Sequence, residues 1–295
     1  NKPMDNCWRP WAKELFDKAP ILKPWYGIEQ EFYIMKSCTK HVTEKSTVPL
    51  GWGESRPQGQ YYCSVGSTNT FGRVVAEKAY HLCLEAGINA SGMNAEVGIA
   101  QWEIQVGPCE GIVAGDQLMI MRYILERVGE QHGVQINIDP KPIKANKGKW
   151  NGSGCHINYS TILMREGGEG ENGLFYINEA IEKLGSKHME HMDIYGDGNI
   201  ERMSGTCETA SFDTFSSGVA DRSASIRIPR EVQENECGYL EDRRPASNIN
   251  PYLATGMIFK TTCLTSEIGN TDDDTNDDTN DGTNGSTNDD TNDNN

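Results

Sequence analysis

The spacing of apolar positions along the chain changes between the period of a helix and that of a strand. Over residues 26–35, aromatic and β-branched residues alternate with polar ones, which predicts a strand. Apolar residues recur at helical spacing over 72–85 and 115–132, each stretch followed by a glycine that is a natural stop, so two helices are predicted. Helical spacing at the start of the chain predicts a helical lead-in over 1–24.

The remaining elements are shorter and are separated by polar or glycine-rich stretches. Residues 36–60 predict a loop, and 94–107 predict two short strands. Further strands are predicted at 133–139 and after the glycine-rich turn of 150–155, and an amphipathic helix at 179–191. Because strands and helices are interspersed without a strict strand–helix–strand rhythm, the pattern favours an antiparallel sheet with packed helices, an α+β fold.

The end of the chain has a different composition. Its last 25 residues repeat Thr, Asn and Asp, with nine acids, no base and no apolar residue. Such a segment cannot bury enough apolar surface to offset the entropy of ordering it. We therefore expect a disordered Thr/Asn/Asp-rich tail over 269–295.

The formal charge of −16 is concentrated in that tail. Residues 1–270 hold 27 basic and 34 acidic side chains, a net charge of −7. A net acidic body argues against a nucleic-acid surface, because phosphate binding draws on clustered Lys and Arg. No stretch approaches the roughly 18 apolar residues of a membrane span. Neither nucleic acid nor a membrane is expected as a partner.

The cysteines and the N-terminus bear on the cellular compartment. Nine cysteines are an odd number, and no two lie closer than 20 residues, which excludes a CxxC pair and fits reduced thiols. The N-terminus shows no charged start followed by an apolar run, so no secretory signal is visible. We expect a cytoplasmic protein and, since the first residue is Asn1, a missing upstream segment.

Four glutamates and a histidine have the side chains of a cation site. Glu29 and Glu31 lie two apart in the predicted strand and share a face, where their like charges repel unless a cation lies beside them. Glu96 and Glu103 each fall in a predicted short strand, and His156 falls in a third. Such donors suit Mg²⁺ or Mn²⁺ rather than zinc–thiolate chemistry. Solvent-facing glutamates and a core histidine are the alternatives that the spacing leaves open.

A second pair of histidines, His188 and His191, lies in the predicted helix at 179–191. Two histidines this close could hold a metal ion, but no carboxylate is placed in the sequence to complete the site. We therefore expect a partly exposed helix face.

Five arginines form two groups. Arg222, Arg227 and Arg230 form the first group, and Arg243 and Arg244 form the second. In an acidic body, such groups suggest guanidinium forks aimed at phosphate or carboxylate. An internal Arg–Glu network is an equal alternative. The chain has no GxxxxGK[ST] motif, so any nucleotide phosphates would be held by metal ions and arginine.

Several long motifs follow one another along the chain. They are WYGIEQEF, PQGQYYCSVG, NAEVGIAQWEIQVGPCEGI, DPKPI, WNGSGCHINYST, MREGGEGENG, CETASFDTFSSGVADRSASIRIPR and GYLEDRRPASNINPY. In this order they resemble the catalytic domain of glutamine synthetase of the eukaryotic type. The resemblance implies a catalytic domain over 25–268, with a curved antiparallel sheet and helices that form half of a funnel for two or three divalent ions, ATP and glutamate.

The resemblance also implies roles for individual residues. The ligands of one Mg²⁺ or Mn²⁺ ion would be Glu29, His156 and Glu241, and those of the other Glu31, Glu96 and Glu103. The catalytic residues would be Glu208, which takes a proton from ammonium, and Arg222 and Arg202, which stabilise the transferring phosphoryl group. Substrate would be bound by Asn151, Gly152, Arg243 and Tyr62, and nucleotide by Asn158, Ser160, Arg227 and Tyr239.

The implied reaction is the ATP-dependent ligation of ammonia to L-glutamate through γ-glutamyl phosphate, in a homo-oligomer that the family suggests is a decamer. The chain departs from the family pattern in three places. The family's N-terminal β-grasp domain, which closes the neighbouring subunit's site, is expected to have no counterpart in residues 1–295. Cys207 replaces a histidine, and Lys149 stands where a small polar or acidic residue is usual. A non-catalytic or truncated relative with a role in assembly is therefore the alternative, and a ligase for a larger amine is a third.

Overall fold

The computed structural model describes residues 3–4, 6–37, 48–53, 57–144 and 150–264. The predicted tail at 269–295 and Lys149 lie outside these residues, as does most of the loop predicted at 36–60. The described part of the chain contains no helix that is both long enough and apolar enough to cross a membrane.

Helices and strands alternate irregularly along the chain. The strands are β1 (Trp25–Lys36), β2 (Ala90–Ala95), β3 (Gln101–Glu110), β4 (Val134–Asn137), β5 (Cys155–Ser160), β6 (Ser217–Val219), β7 (Ile226–Ile228) and β8 (Leu240–Asp242). The α-helices are α1 (Arg9–Lys18), α2 (Arg73–Glu85), α3 (Ile112–His132), α4 (Ile162–Glu166), α5 (Gly173–Ser186), α6 (His188–Met192), α7 (Arg230–Asn235) and α8 (Pro251–Phe259). Short 3₁₀ turns lie at Pro20–Leu22 and Asn199–Glu201, and a π-helical turn follows α8 at Lys260–Leu264.

Among the described residues, the strands form one eight-stranded sheet in the order β2-β3-β1-β5-β8-β7-β6, with β4 paired to β1. Every pairing is antiparallel except that of β6 with β7. Strand β1 has β3 on one side and β5 on the other, so residues along it can meet side chains from both neighbours. The α+β expectation is confirmed.

The predicted lead-in helix contributes to the same hydrophobic core as the sheet. Ala12, Leu15 and Phe16 of α1 are all buried in that core. The ring of Phe16 lies 5.3 Å from that of Phe259 in α8 and 6.0 Å from that of Tyr26 in β1. Helix α1 therefore packs between the sheet and the C-terminal helix.

Several element boundaries differ from the sequence prediction. Helix α1 covers only Arg9–Lys18 of the lead-in predicted over 1–24, and β2 begins at Ala90 rather than at 94. The helix predicted at 179–191 is two helices, and α5 begins at Gly173 because the Asn172 side chain accepts the backbone N–H of Phe175 at 3.0 Å and caps the helix. Glu96 lies just after β2 rather than inside a strand. Its N–H donates to the carbonyl of Gln101, which closes the turn between β2 and β3.

The prediction of a partly exposed face for His188 and His191 is wrong, because both side chains are buried. The guanidinium of Arg244 donates to His188 Nδ1 at 3.2 Å, and His188 Nε2 lies 2.9 Å from the carbonyl of Phe212. His191 lies 2.8 Å from the hydroxyl of Tyr195, and burial lowers its pKa to about 3, so it is neutral. These histidines pack around a buried ion pair and are structural.

That ion pair joins Arg244 to Asp242 through two hydrogen bonds of 2.7 and 2.9 Å, and neither side chain is exposed. Burial alone would raise the pKa of Asp242, but the Arg244 charge outweighs it and the pKa lies below its usual value. Asp242 belongs to β8, directly after Glu241. The pair therefore anchors the strand end that carries a predicted metal ligand.

Replacing Arg244 by methionine should lower the free energy of unfolding by roughly 3–5 kcal/mol, because it leaves the Asp242 carboxylate buried without its partner. Urea denaturation measures this loss. The matched control is Arg127→Met on α3, which removes an exposed pair with Glu130 and should cost less than about 1 kcal/mol. Equal losses in the free energy of unfolding for the two variants would contradict the view that burial makes the Arg244–Asp242 pair more important than an exposed pair.

Candidate functional site

Strand pairing brings the predicted cation ligands together from distant parts of the sequence. Glu29 and Glu31 project from the same side of β1. The register sets Glu31 opposite Glu103 of β3 and Glu29 opposite His156 of β5. In β8, Glu241 is paired with Asn158 of β5, so its side chain reaches the same region. Neighbouring strands thus collect acidic groups at one place on the sheet.

These side chains form two groups of three. We call Glu29, His156 and Glu241 the first cluster, and Glu31, Glu96 and Glu103 the second cluster. In each cluster, one donor atom from every member lies within 4.8 Å of the others. Carboxylate oxygens with a single imidazole are the donors that suit Mg²⁺ or Mn²⁺, so the residues fit such ions.

The second cluster is electrostatically unfavourable without a cation. Burial and the neighbouring Glu96 raise the pKa of Glu31 to about 8, and burial raises that of Glu96 to about 7. Burial, together with the charges of Glu29 and Glu31, raises the pKa of Glu103 well above its usual value. Three carboxylates that resist ionisation at neutral pH are stabilised in the charged form by a divalent ion beside them.

The first cluster is partly balanced by arginine. Arg243 donates to Glu241 at 2.8 Å, and Arg227 forms a second ion pair with the same carboxylate. His156 Nδ1 lies 3.4 Å from Glu29 and 3.5 Å from Glu241. Burial and Arg243 hold the pKa of His156 well below its usual value, so its imidazole is neutral and able to act as a ligand.

The five grouped arginines therefore divide between the two alternatives. Arg227, Arg243 and Arg222 line a cavity together with most of the cluster residues. Arg244 belongs to the buried internal pair with Asp242. Arg230 is exposed at the start of α7. Three guanidinium groups thus line the polar cavity, where an anionic ligand could reach them, but Arg227 and Arg243 also pair with Glu241, as the internal Arg–Glu alternative predicts.

Five of the six cluster residues, all except the fully buried Glu241, line a polar cavity of about 200 Å³. Besides Arg222, Arg227 and Arg243, its lining residues are Glu29, Glu31, Tyr62, Asn94, Glu96, Glu103, Gln105, His156 and Glu208. A second cavity of about 400 Å³, mainly apolar, shares Glu29 and Gln105 with it. The second cavity is lined by Asn158, Ser160 and Tyr239. Together with Arg227, these are the residues predicted to contact the nucleotide. Acidic clusters and an apolar cleft are therefore adjacent.

Glu208 lies on an exposed loop at the edge of the polar cavity. Its carboxylate is 3.6 Å from Arg222 and accepts a hydrogen bond of 3.4 Å from the side chain of Asn151. Glu208 and the preceding Cys207 have φ angles of 60° and 57°, a region that side chains other than glycine seldom adopt. Such strain is common where a loop holds a functional group in place.

The predicted glutamate segment is held tightly. Gln58 makes two hydrogen bonds with Asn151. Its side-chain oxygen accepts the Asn151 N–H at 2.7 Å, and its side-chain nitrogen donates to the Asn151 side-chain oxygen at 2.8 Å. A Cβ at Gly152 would lie 2.3 Å from the carbonyl of Pro140 and 2.4 Å from Arg202. Only glycine fits at that position.

Arg202 is placed differently from the other predicted catalytic residues. Its side chain is buried, and its guanidinium donates to the carbonyls of residues 243–245 and to Asn199. It is absent from the described lining of the polar cavity. Its contacts are those of a residue that fixes the backbone around Arg243.

Sequence reasoning missed three amides that hold the second cluster. Gln101 donates to Glu31 at 3.0 Å, Asn94 to Glu96 at 2.8 Å, and Gln105 to Glu103 at 2.7 Å. A signal was available in β3, because Gln101 and Gln105 lie two residues to either side of Glu103. Side chains at that spacing share a strand face.

The raised pKa values predict a dependence of stability on pH. Between the usual Glu pKa of 4.5 and the folded value of about 8 for Glu31, the folded state keeps a proton that the unfolded state has lost, so stability falls as pH rises. In EDTA, the melting temperature should fall from pH 7.5 to 8.5, a window that lies above the usual pKa of 6.5 for His156. Saturating Mn²⁺ should remove most of the fall.

Differential scanning calorimetry measures this effect. The variant Glu31→Gln, which removes one raised carboxyl, should show a smaller fall in EDTA than the unchanged protein. A melting temperature that rises over this pH window without metal would contradict the electrostatic picture of the second cluster.

Comparison with known proteins agrees with this arrangement. The family model for the glutamine synthetase catalytic domain matches residues 12–192. A glutamine synthetase of Kluyveromyces lactis is 50% identical over 262 residues, 88% of this chain and 66% of that protein. One of Agaricus bisporus is 50% identical over 259 residues, 87% and 69% of the two chains, and a chloroplastic one of Daucus carota is 48% identical over 268 residues, 89% and 59%. The chain thus spans about two thirds of the length of these relatives.

Solved structures show the same fold. The ligand-free structure "Apo GmaS without ligand" superposes with a TM-score of 0.66 at 19% identity, over 89% of this chain and 58% of that chain. The ADP complex of GmaS gives the same score over 88% and 59%. At this identity the likeness concerns the fold alone.

Proposed function

The chain belongs to the glutamine synthetase family, and from that premise we propose that it carries the catalytic scaffold for ATP-dependent ligation of ammonia to L-glutamate through γ-glutamyl phosphate. The observation that supports this most is the pair of acidic clusters beside a mainly apolar cavity. The clusters suit the cations that accompany nucleotide phosphates, and the cavity suits a base and sugar.

The two clusters would hold the divalent ions. Glu29, His156 and Glu241 would bind one Mg²⁺ or Mn²⁺ ion, and Glu31, Glu96 and Glu103 the other. Bound there, the ions supply Lewis-acid neutralisation of the charge on a transferring phosphoryl group. The buried walls strengthen this effect because charges interact more strongly where water is excluded.

Three arginines would complete the neutralisation. Arg222 and Arg227 line the polar cavity from the side of β7 and would contact the phosphoryl group. Arg243 would hold the glutamate side chain, and its Nε is a buried donor without a hydrogen-bond partner among the described residues. Arg202 would act by keeping the 243–245 backbone in place.

Glutamate would lie against the Asn151–Gly152 segment, with nucleotide in the apolar cavity. The side chains of Asn158, Ser160 and Tyr239 would contact the nucleotide, with Arg227 toward its phosphates. The glutamate carboxylate would attack the terminal phosphoryl group of ATP, which releases ADP and forms γ-glutamyl phosphate.

Glu208 would serve in the second step. It lies at the cavity edge near Tyr62 and Arg222, where it would accept a proton from ammonium. The ammonia so formed would attack the acyl phosphate, releasing phosphate and giving glutamine. Because an acyl phosphate hydrolyses readily, the loop that carries Glu208 would also limit access of water.

A non-catalytic relative is the alternative. A buried group of carboxylates without its ion is costly, so a chain that no longer binds cations would be expected to lose these ligands first. All six are present and grouped, which favours the enzyme. We further propose a cytoplasmic homo-oligomer, a decamer by analogy with the family.

The test uses the full-length gene product with ATP, Mg²⁺, L-glutamate and ammonium. We expect phosphate release that requires both glutamate and ammonium and equals the glutamine formed. A folded, Mg²⁺-binding protein that releases no phosphate in response to glutamate would refute the proposal.

A further inference from the structure

Gln101 is a buried amide at the start of β3 whose hydrogen-bonding groups are all engaged. Its side-chain nitrogen donates to Glu31 Oε2 and to the carbonyl of Gly152, both at 3.0 Å. Its side-chain oxygen accepts the N–H of Gly98 at 3.0 Å. The residue is 2% exposed. One side chain therefore bridges the second cluster and the Asn151–Gly152 segment.

The orientation of this amide is determined by its partners. If the amide were flipped, its oxygen would face the Glu31 carboxylate and the Gly152 carbonyl, and its NH₂ group would face the N–H of Gly98. All three contacts would then be repulsive, because like groups would meet. The Gln101 side chain is thus fixed in one orientation.

Two further bonds connect the same segments. The N–H of Gly154 donates to Glu31 Oε2 at 2.8 Å, and the hydroxyl of Tyr33, which pairs with Gln101 across the sheet, donates to the carbonyl of Asn151 at 3.1 Å. Glu31 Oε2 is therefore occupied by two donors, which leaves Oε1 as the oxygen available to a cation. Movement of Glu31 would be transmitted directly to the segment 151–154.

We propose that Gln101 is a positioning residue that links cation binding at the second cluster to the geometry of the Asn151–Gly152 segment. A neutral amide suits this position because a lysine would compete with the cation and a carboxylate would add to the repulsion. A cation on Glu31 fixes this carboxylate, which fixes Gln101, which fixes the carbonyl of Gly152.

Gln105 provides a matched control within the same strand. Its amide donates to Glu103 at 2.7 Å, as Gln101 does to Glu31. Only Gln101 makes the second bond to Gly152. Loss of either amide should weaken cation binding, whereas only loss of Gln101 should uncouple the segment from the cation.

The first experiment is residue-resolved hydrogen exchange of the Ser153 N–H, with and without Mn²⁺, on the full chain. This N–H belongs to the same peptide unit as the Gly152 carbonyl that Gln101 holds, whereas the Gly154 N–H bonds Glu31 directly and is left out. In the unchanged protein, and in Gln105→Met at saturating Mn²⁺, the cation should slow exchange of the Ser153 N–H. In Gln101→Met that protection should be lost even when Mn²⁺ is saturating. Protection that persists in Gln101→Met, or that is absent from the unchanged protein, would overturn the proposal.

If Gln101→Met does not fold, Gln101→Asn serves instead, because it keeps a neutral amide but is one methylene shorter, which draws both donors away from Glu31 and from the Gly152 carbonyl. It should show the same loss of Mn²⁺-dependent protection. Circular dichroism and thermal melting of each variant establish that the comparison concerns folded protein.

The second experiment rests on the proposed function, in which the segment binds glutamate. Mn²⁺ affinity, measured by electron paramagnetic resonance with and without L-glutamate, should differ by about fivefold or more in the unchanged protein and in Gln105→Met. In Gln101→Met the ratio should approach one. An absence of any glutamate effect in the unchanged protein, with the exchange result intact, would refute the proposed function and leave the role of Gln101 standing.

Discussion

Replacing Glu103 by glutamine is expected to lower the rate of glutamine formation by roughly a thousandfold or more, because a cation's stabilisation of the transferring charge is worth several kcal/mol. Glu103 is buried at the centre of the second cluster, and its position opposite Glu31 is set by the pairing of β1 with β3. Steady-state kinetics at saturating Mg²⁺ measures the loss.

The same substitution should make the metal-free protein more stable. Glu103 is buried near three other carboxylates, and its pKa is raised well above the usual value by burial and then by their charges. Glutamine keeps the shape and removes the charge, so the melting temperature in EDTA should rise at pH 8. The control Glu130→Gln, which removes an exposed ion pair of α3, should leave activity unchanged and lower the melting temperature only slightly. A parallel loss of activity and stability in Glu103→Gln would contradict a functional origin of the cluster.

Replacing Glu208 by glutamine should lower glutamine formation by about 10²- to 10⁴-fold, the usual contribution of a general base. Nucleotide and Mn²⁺ binding should persist, because Glu208 is exposed on a loop and belongs to neither cluster. Glutamine retains the side-chain length but cannot accept the ammonium proton. Equilibrium binding of ADP in the presence of Mn²⁺ measures nucleotide and cation binding separately from turnover.

A surface glutamate on a nearby segment provides the control for Glu208. Glu201 pairs with Lys144 outside the polar cavity, and Glu201→Gln should retain full activity. Turnover in Glu208→Gln that equals that of Glu201→Gln would refute the assignment of Glu208 as the base.

Much of the sheet could be predicted because its signals are local. Alternation over 26–35 predicts β1, and the two-residue spacing of Glu29 and Glu31 sets them on one face wherever the strand lies. Their partners are not local. Glu241 reaches Glu29 only because β8 pairs with β5 and β5 with β1, and spacing alone cannot reveal such pairings. The family resemblance supplied the grouping that periodicity could not.

The errors have a common physical cause. Helical spacing correctly predicted α6 as helical. The burial of His188 and His191, however, depends on Arg244, which lies more than 50 residues later in the sequence. Arg244 is itself buried as an ion pair with Asp242. The role of Gln101 likewise depends on Gly152, which is distant in sequence and adjacent in space. Tertiary hydrogen bonds of this kind leave little trace in local pattern.

The most direct test of the two-cluster account is anomalous diffraction from crystals of the protein soaked in Mn²⁺. We expect two peaks within coordination distance of the carboxylates, one among Glu29, His156 and Glu241 and the other among Glu31, Glu96 and Glu103. Glu103→Gln should weaken the second peak selectively. Crystals of folded protein that show no manganese at either cluster, at concentrations that saturate binding in solution, would contradict the account.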